Sequence, residues 1–191
     1  MPKTERLIFM GLRAIRLKSD PVLRKKSRPV TEFTARTCNL LDDLRDTLIE
    51  ANGLGLAAPQ VGILRRAVVI VRDEEYVELV NPKILEREGE IGVFEGCLSC
   101  PNERAWIMRP QRVVIEAQDR NGKKLKLECL DMAARAACHE IDHLDGTLFT
   151  DLADRIFTDD ELDELIARQE EEEERAESEK RKKVAQKDDK K

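Results

Sequence analysis

Apolar positions recur along this chain with two different periods. From Asn39 to Ala51, residues Leu40, Leu41, Leu44, Leu48 and Ile49 return every three or four positions, the spacing of one face of an amphipathic helix, with Gly53 near its end. Ala67 to Val71 and Tyr76 to Val80 are short branched and aromatic runs that read as strands, the second closed by Asn81-Pro82, and Ala14 to Leu17 reads as a further short strand. Val113 to Ala117 and Leu125 to Leu130 flank Asp119-Arg120-Asn121-Gly122, a strong hairpin turn signal. The small residues Ala133, Ala134, Ala136, Ala137 and Cys138 let a helix pack closely in a core, with Asp131 as its expected N-cap and Gly146 as its stop; Leu148-Phe149 follows. From Asp159 the chain reads helical again, with Leu162, Leu165 and Ile166 as its last apolar stripe. Beyond it, Glu170 to Glu174 and Lys180 to Lys183 read as a solvated helix fraying into disorder.

The strands form hairpins instead of alternating with helices, so the fold class is α+β: mostly antiparallel sheets packed around a central helix, with a helix at the C-terminus. The chain has 191 residues, enough for one domain over 1–158 with a real core and a charged tail over 159–191. Net charge is −5, and the tail, with fourteen acidic and nine basic side chains, accounts for all of it. The neutral body shows no basic bias towards nucleic acid, and DNA is not an expected partner. No apolar run approaches a membrane span at a mean hydropathy of −0.51, so no membrane partner is expected. Leu7-Ile8-Phe9-Met10 is too short for a secretory signal, while Lys3, Arg6, Arg13, Arg16 and Lys18 only faintly suggest organelle targeting; Met10 is an alternative start. Five cysteines, an odd number, argue for a reducing compartment, the cytoplasm.

The only two histidines frame His139-Glu140-Ile141-Asp142-His143. Residues four apart share a helix face, so both imidazoles can bind one metal ion, and Glu140 can take a proton from a water activated there. Ile141 and Leu144 point away from that face, which puts the motif on a buried helix, where unpaired imidazoles are expensive. A catalytic site of this kind needs three protein ligands, and no third histidine exists. An endopeptidase of the HExxH type would use a downstream carboxylate, for which Glu161 and Glu164 are nominees. The other option is Cys97, in the extended segment Glu95-Gly96-Cys97-Leu98-Ser99; a thiolate steers the choice towards iron or zinc. Cys97 and Cys100 also form a CxxC. Cys129 and Cys138 are too far apart to complete a zinc ribbon, and a strand would turn the two thiols to opposite sides, leaving Cys97 as ligand and Cys100 as a buried neighbour.

Three segments together resemble the peptide deformylase family: Gly53-Leu54-Gly55-Leu56-Ala57-Ala58-Pro59-Gln60, Glu95-Gly96-Cys97-Leu98-Ser99 and His139-Glu140-Ile141-Asp142-His143. The resemblance runs from about Leu12 to Phe157, taking in Asp20-Pro21-Val22-Leu23-Arg24 and Asn81-Pro82, and leaves out the tail. It implies a metal-dependent amidase that removes the formyl group from N-formylmethionyl nascent polypeptides and releases formate. Its metal ligands would be Cys97, His139 and His143, holding one divalent ion, Fe(II) by family precedent, with Zn(II), Ni(II) and Co(II) compatible. Glu140 would move the proton, and the side-chain amide of Gln60 with the backbone N–H of Leu98 would stabilise the developing oxyanion. Substrate would meet Gly55, whose missing side chain lets another backbone approach, as well as Gly96 and Arg104; Leu54 and Ala136 would wall a methionine pocket. The partner of Arg104 is left open by the sequence, with Glu95 a candidate.

The chain departs from the family pattern at two positions: Cys138 stands before His139 where glutamine is usual, and Cys100 follows Ser99 where an aliphatic residue is usual. Two extra thiols near a thiolate ligand imply oxidative inactivation through Cys97. A non-catalytic metal-binding relative is the third reading, after deformylase and endopeptidase. The tail reads as solubilising, with Lys180-Arg181-Lys182-Lys183 and the final lysines the parts a ribosome could attract.

Overall fold

A computed structural model describes residues 11–188 of the chain. In order, the elements are α1 (Ala35–Glu50), β1 (Gly55–Ala57), β2 (Ala67–Arg72), β3 (Glu75–Glu88), β4 (Ile91–Cys97), β5 (Cys100–Arg109), β6 (Arg112–Gln118), β7 (Lys124–Leu130), α2 (Asp131–Leu144), β8 (Ile156–Thr158) and α3 (Asp159–Asp188). Short 3-10 turns occupy Pro21–Arg24, Ala58–Val61 and Phe149–Asp151. Lys3, Arg6, the segment Leu7 to Met10, Lys190 and Lys191 lie outside the described residues.

All strand pairings within the two sheets are antiparallel, in the orders β1-β2-β3-β6-β7 and β4-β5-β8. The first sheet is covered on both faces, which explains why β2 is apolar at every position from Ala67 to Val71. Val68 and Ile70 pack with Ala134, Ala137, Ile141 and Leu144 of α2. Ala67 and Val69, one residue out of phase, pack with Leu41, Leu44 and Leu48 of α1 on the other face. A third cluster, with Leu23, Cys100, Ala105, Ile107, Leu148 and Phe149, lies against the smaller sheet. Helix α2 is thus a central element, and the alanines before its histidines let it sit close to β1, β2 and β7.

Several local expectations need correction. Ala14 to Leu17 forms no strand: the segment is pinned by single backbone bonds instead of a ladder, Arg16 N–H to the Gln60 carbonyl (2.7 Å) and, just beyond it, Lys18 N–H to that of Ser99 (2.8 Å). Helix α1 starts at Ala35 instead of Asn39, and Ile49 lies outside its buried stripe, 47% exposed. Asn81-Pro82 does not end the second strand. Asn81, at φ 52°, forms a bulge there, and its side chain makes bonds of 2.8 Å with both the N–H and the carbonyl of Val30. That pairing lets β3 run on to Glu88. Asp131 is the first residue of α2 instead of its cap, and no side chain caps that end. Gly146 does end α2, at φ 79°, where a Cβ would sit 2.7 Å from the Arg24 carbonyl oxygen.

Candidate metal centre and active site

Helix α2 supplies His139 and His143 from one face, and β4 ends on Cys97, so two elements distant in sequence meet here. The nearest donor atoms of Cys97, His139 and His143 lie within 4.8 Å of one another, with His143 Nε2 3.2 Å from the Cys97 sulfur. Two imidazoles and one sulfur at this separation suit a divalent transition metal. The surroundings fit as well. His139 Nδ1 bonds Glu95 Oε2 at 3.0 Å, which leaves Nε2 for a metal and fixes the ring. The Cys100 thiol hydrogen-bonded to Cys97, burial and the nearby Glu140 carboxylate all push the Cys97 thiol up, so a thiolate there calls for a cation beside it. Burial, with the charge of His139, likewise holds His143 neutral, as a ligand must be.

Behind these three donors stands a buried ionic network. Arg109, 5% exposed, grips Glu95 with two bonds, Nε to Oε1 at 2.8 Å and Nη2 to Oε2 at 2.9 Å, and reaches Asp142 with Nη1 at 2.6 Å. Burial alone would raise the Glu95 pKa; the bonds from His139 and Arg109 outweigh it and hold the carboxyl at about 2. The same bond to Glu95 outweighs burial at His139 and pushes its pKa up. Glu95 therefore orients His139 and is not the partner of Arg104, which pairs instead with Asp159 at 3.2 Å. Arg104 sits on the opposite face of β5 from Arg109 and cannot reach the buried carboxylate.

Glu140 is 4% exposed, its Oε2 has no hydrogen-bond partner among the described residues, and burial lifts its pKa to about 7. A Cβ on Gly55 would lie 2.6 Å from the Cγ and Oε1 of Glu140, so the glycine makes room for this side chain. Gln60 is fixed from the other side: the Ala57 N–H donates to its Oε1 at 2.7 Å. Its NH2 group then faces Ser99 Oγ (3.2 Å) and the Cys97 sulfur (3.6 Å). The Ser99 N–H also points at that sulfur, at 3.4 Å.

A cavity of about 530 Å3 opens on this cluster. Leu54, Gly55, Gly96, Arg104 and Ala136 line it, as do Gln60, Cys97, Leu98, His139 and Glu140, so every expected site residue except the deeper His143 faces one space. Glu161 and Glu164 do not join it. Glu161 accepts from the Thr158 N–H at 2.8 Å, and Glu164 pairs with Arg168 at 3.2 Å on the exposed side of α3. The endopeptidase reading therefore loses its third ligand.

Cys97 and Cys100 also differ from expectation. The chain reverses at Leu98-Ser99, making the two cysteines cross-strand partners of β4 and β5, with their thiols side by side instead of on opposite faces. Cys138 packs among the core residues under the large sheet, where burial raises its pKa to about 11, so only Cys100 is an extra thiol in contact with the cluster. Glu95, Arg109 and Asp142 carry roles that sequence reasoning missed. Two of them lie inside the recognised motifs; Arg109 had no local signal at all.

A profile of the polypeptide deformylase family matches residues 12–158. A peptide deformylase of Caldicellulosiruptor bescii is 54% identical over 159 residues, covering 83% of this chain and 96% of that one. One of Acetivibrio thermocellus is 49% identical over 154 residues, covering 81% and 91%. Among solved structures, the peptide deformylase of Thermotoga maritima superposes with a TM-score of 0.73 at 37% identity, over 75% of this chain and 99% of that one. That of Legionella pneumophila superposes with a TM-score of 0.73 at 34% identity, over 87% and 98%. The matched span contains the whole Cys97–His139–His143 cluster and every residue lining its cavity except Asp159, and this chain belongs to the polypeptide deformylase family.

Proposed function

We propose that this chain hydrolyses the formyl amide of N-formylmethionyl polypeptides, releasing formate and a free amino terminus. The observation that carries the reading is the convergence of Cys97, His139 and the deeper His143 beside the buried carboxylate of Glu140, whose Oε2 has no partner among the described residues, with Cys97, His139 and Glu140 facing one cavity. Cys97, His139 and His143 would hold one divalent ion, Fe(II) in the native enzyme, and that ion when bound supplies Lewis acidity and a water of lowered pKa.

The rest of the chemistry belongs to the chain. Glu140, kept poised by burial, takes the proton of the attacking water and delivers it to the leaving amine. Gln60 presents an amide that donates without titrating, held by the Ala57 N–H, and with the Leu98 N–H it stabilises the developing oxyanion. Strand β1 is an edge strand bonded only to β2, so its free side at Gly55 can pair with an extended substrate. Leu54 and Ala136 would form the apolar walls for a methionine side chain, and Gly96 and Arg104 line the same cavity.

We assign catalysis to residues 1–158 and a solubilising role to residues 159–191. Formylated nascent chains and five free cysteines both fit work in the cytoplasm. Among the described residues, no helix is long and apolar enough to cross a membrane. Docking to ribosomes through Lys180 to Lys183 is tested by cosedimentation with and without residues 170–191; equal binding removes it.

The function is tested with Cys97→Ser and Glu164→Gln, each assayed for metal retention and for formate release from a formyl-Met peptide. Loss of metal and activity in the first, with both kept in the second, is expected. The reverse pattern would return the site to the endopeptidase reading.

A further inference from the structure

We propose that Arg135 gives the cavity a preference for formylmethionyl chains with an acidic side chain at the second or third residue, an inference that rests on the deformylase reading. Three arginines surround the site, and two are neutralised. Arg109 is buried between Glu95 and Asp142. Arg104 enters the cavity wall together with Asp159, 3.2 Å away, as a neutral pair. Arg135 is half-buried, lines the same cavity and makes no ion pair among the described residues. The other carboxylates at the cavity, Glu95 and Glu140, are buried near the metal ligands.

Position on the helix says which part of a substrate Arg135 meets. It lies four residues before His139, on the same face of α2 and about 6 Å nearer the helix N-terminus. Helical side chains lean towards the N-terminus, so the guanidinium extends still further from the metal cluster. The formyl end must sit at the cluster, and an extended chain advances roughly 3.3 Å per residue. With the chain running from the cluster towards the N-terminal end of α2, Arg135 meets it two to three residues in, beside the methionine pocket walled by Leu54 and Ala136. A cation there, with no carboxylate of its own, attracts a glutamate or aspartate and repels a lysine. Being planar, it can accept the carboxylate with two parallel bonds.

The test is kcat/KM of the metal-loaded enzyme on formyl-Met-Glu-Ser, formyl-Met-Gln-Ser and formyl-Met-Lys-Ser, with a second series varying the third residue. In at least one series, Glu should exceed Lys about fivefold, with Gln between. The ratio should shrink at about 0.5 M salt. Arg135→Lys should keep the ranking, Arg135→Gln should bring the ratio to near one, and Arg135→Glu should invert it. A wild-type ratio near one in both series, a ranking that survives Arg135→Gln, or an equal loss on all peptides in that variant would each overturn the proposal. The last would mark Arg135 as a backbone or packing contact. Hydrolysis without charge ranking removes this proposal alone. No hydrolysis of any peptide removes the deformylase reading and the proposal with it.

Discussion

Helix α2 buries nine of its 14 residues, two histidines and a glutamate among them, whereas in helix α3 Leu162 alone is buried among the side chains described. Both were legible as helices, for opposite reasons. α2 is held by alanines that bring it against the sheet and by Arg109 and Glu95, which reach in from β5 and β4 to its polar face. α3 is held after its first turns by strong helix formers and by exposed pairs such as Glu164 with Arg168. In α2 His139 and Asp142 are each held by one buried partner, Glu95 and Arg109; in α3 the charges face water and can exchange partners. The contrast teaches that chemistry sits where tertiary contacts over-determine the side chains, and that the effect of a substitution should fall from one helix to the other.

The largest effect is expected inside α2. Glu140→Gln keeps the shape and removes the proposed base, so formate release should fall about 10²–10⁴-fold while bound metal, measured by elemental analysis, stays constant. Next comes the network behind it. Arg109→Met leaves the Glu95 carboxylate buried without its cation and should lower unfolding free energy in urea by about 3–5 kcal/mol. Glu95→Gln weakens the grip on His139 and should loosen metal about 10–100-fold in equilibrium dialysis.

The same carboxyl makes the metal-free protein acid-sensitive. Glu95 is held at about 2, below its ordinary value of 4.5, so the stability it contributes is complete above roughly pH 5 and disappears as pH falls through 2. Urea midpoints of metal-free protein should drop between pH 6 and pH 3, and Arg109→Met should flatten that drop. At the rim of the cluster, Cys100→Val removes the cross-strand thiol that can trap oxidised Cys97 as a disulfide. Peroxide should then inactivate the protein a few-fold more slowly; equal rates would dismiss a role for Cys100. The smallest effect belongs to α3, where removing residues 170–191 should change stability by less than about 0.5 kcal/mol and leave formate release unchanged.

Patterns that repeat locally were readable in the sequence. The doubly covered run of β2 and the β6–β7 hairpin were both visible. At the hairpin turn the Asp119 side chain accepts from the Asn121 and Lys123 N–H groups (2.8 and 2.9 Å), and Gly122 takes φ 82°. So was the grouping of Cys97, His139 and His143, because two of them share one helix and the third sits in a compact motif. Pairings across distance were not readable. Arg109 is 14 residues from Glu95 and 33 from Asp142, and nothing local distinguishes it from Arg104, which lies on the other face of the same strand. The Asn81 bulge depends on Val30, 51 residues away. The Cys97–Cys100 contact depends on a reversal at Leu98-Ser99 that a strand reading straightens out. In each case the missing information is which surface the residue meets, and periodicity does not encode that.

The central claim is that the Cys97–His139–His143 cluster drives removal of a formyl group. Its most direct test is formate release from formyl-Met-Ala-Ser by protein purified without air, with bound metal quantified in the same sample. Release should rise in proportion to metal, reaching its maximum at one ion per chain, and stop on chelation. Protein carrying one ion per chain that releases no formate, or release that persists after the ion is removed, would contradict the account.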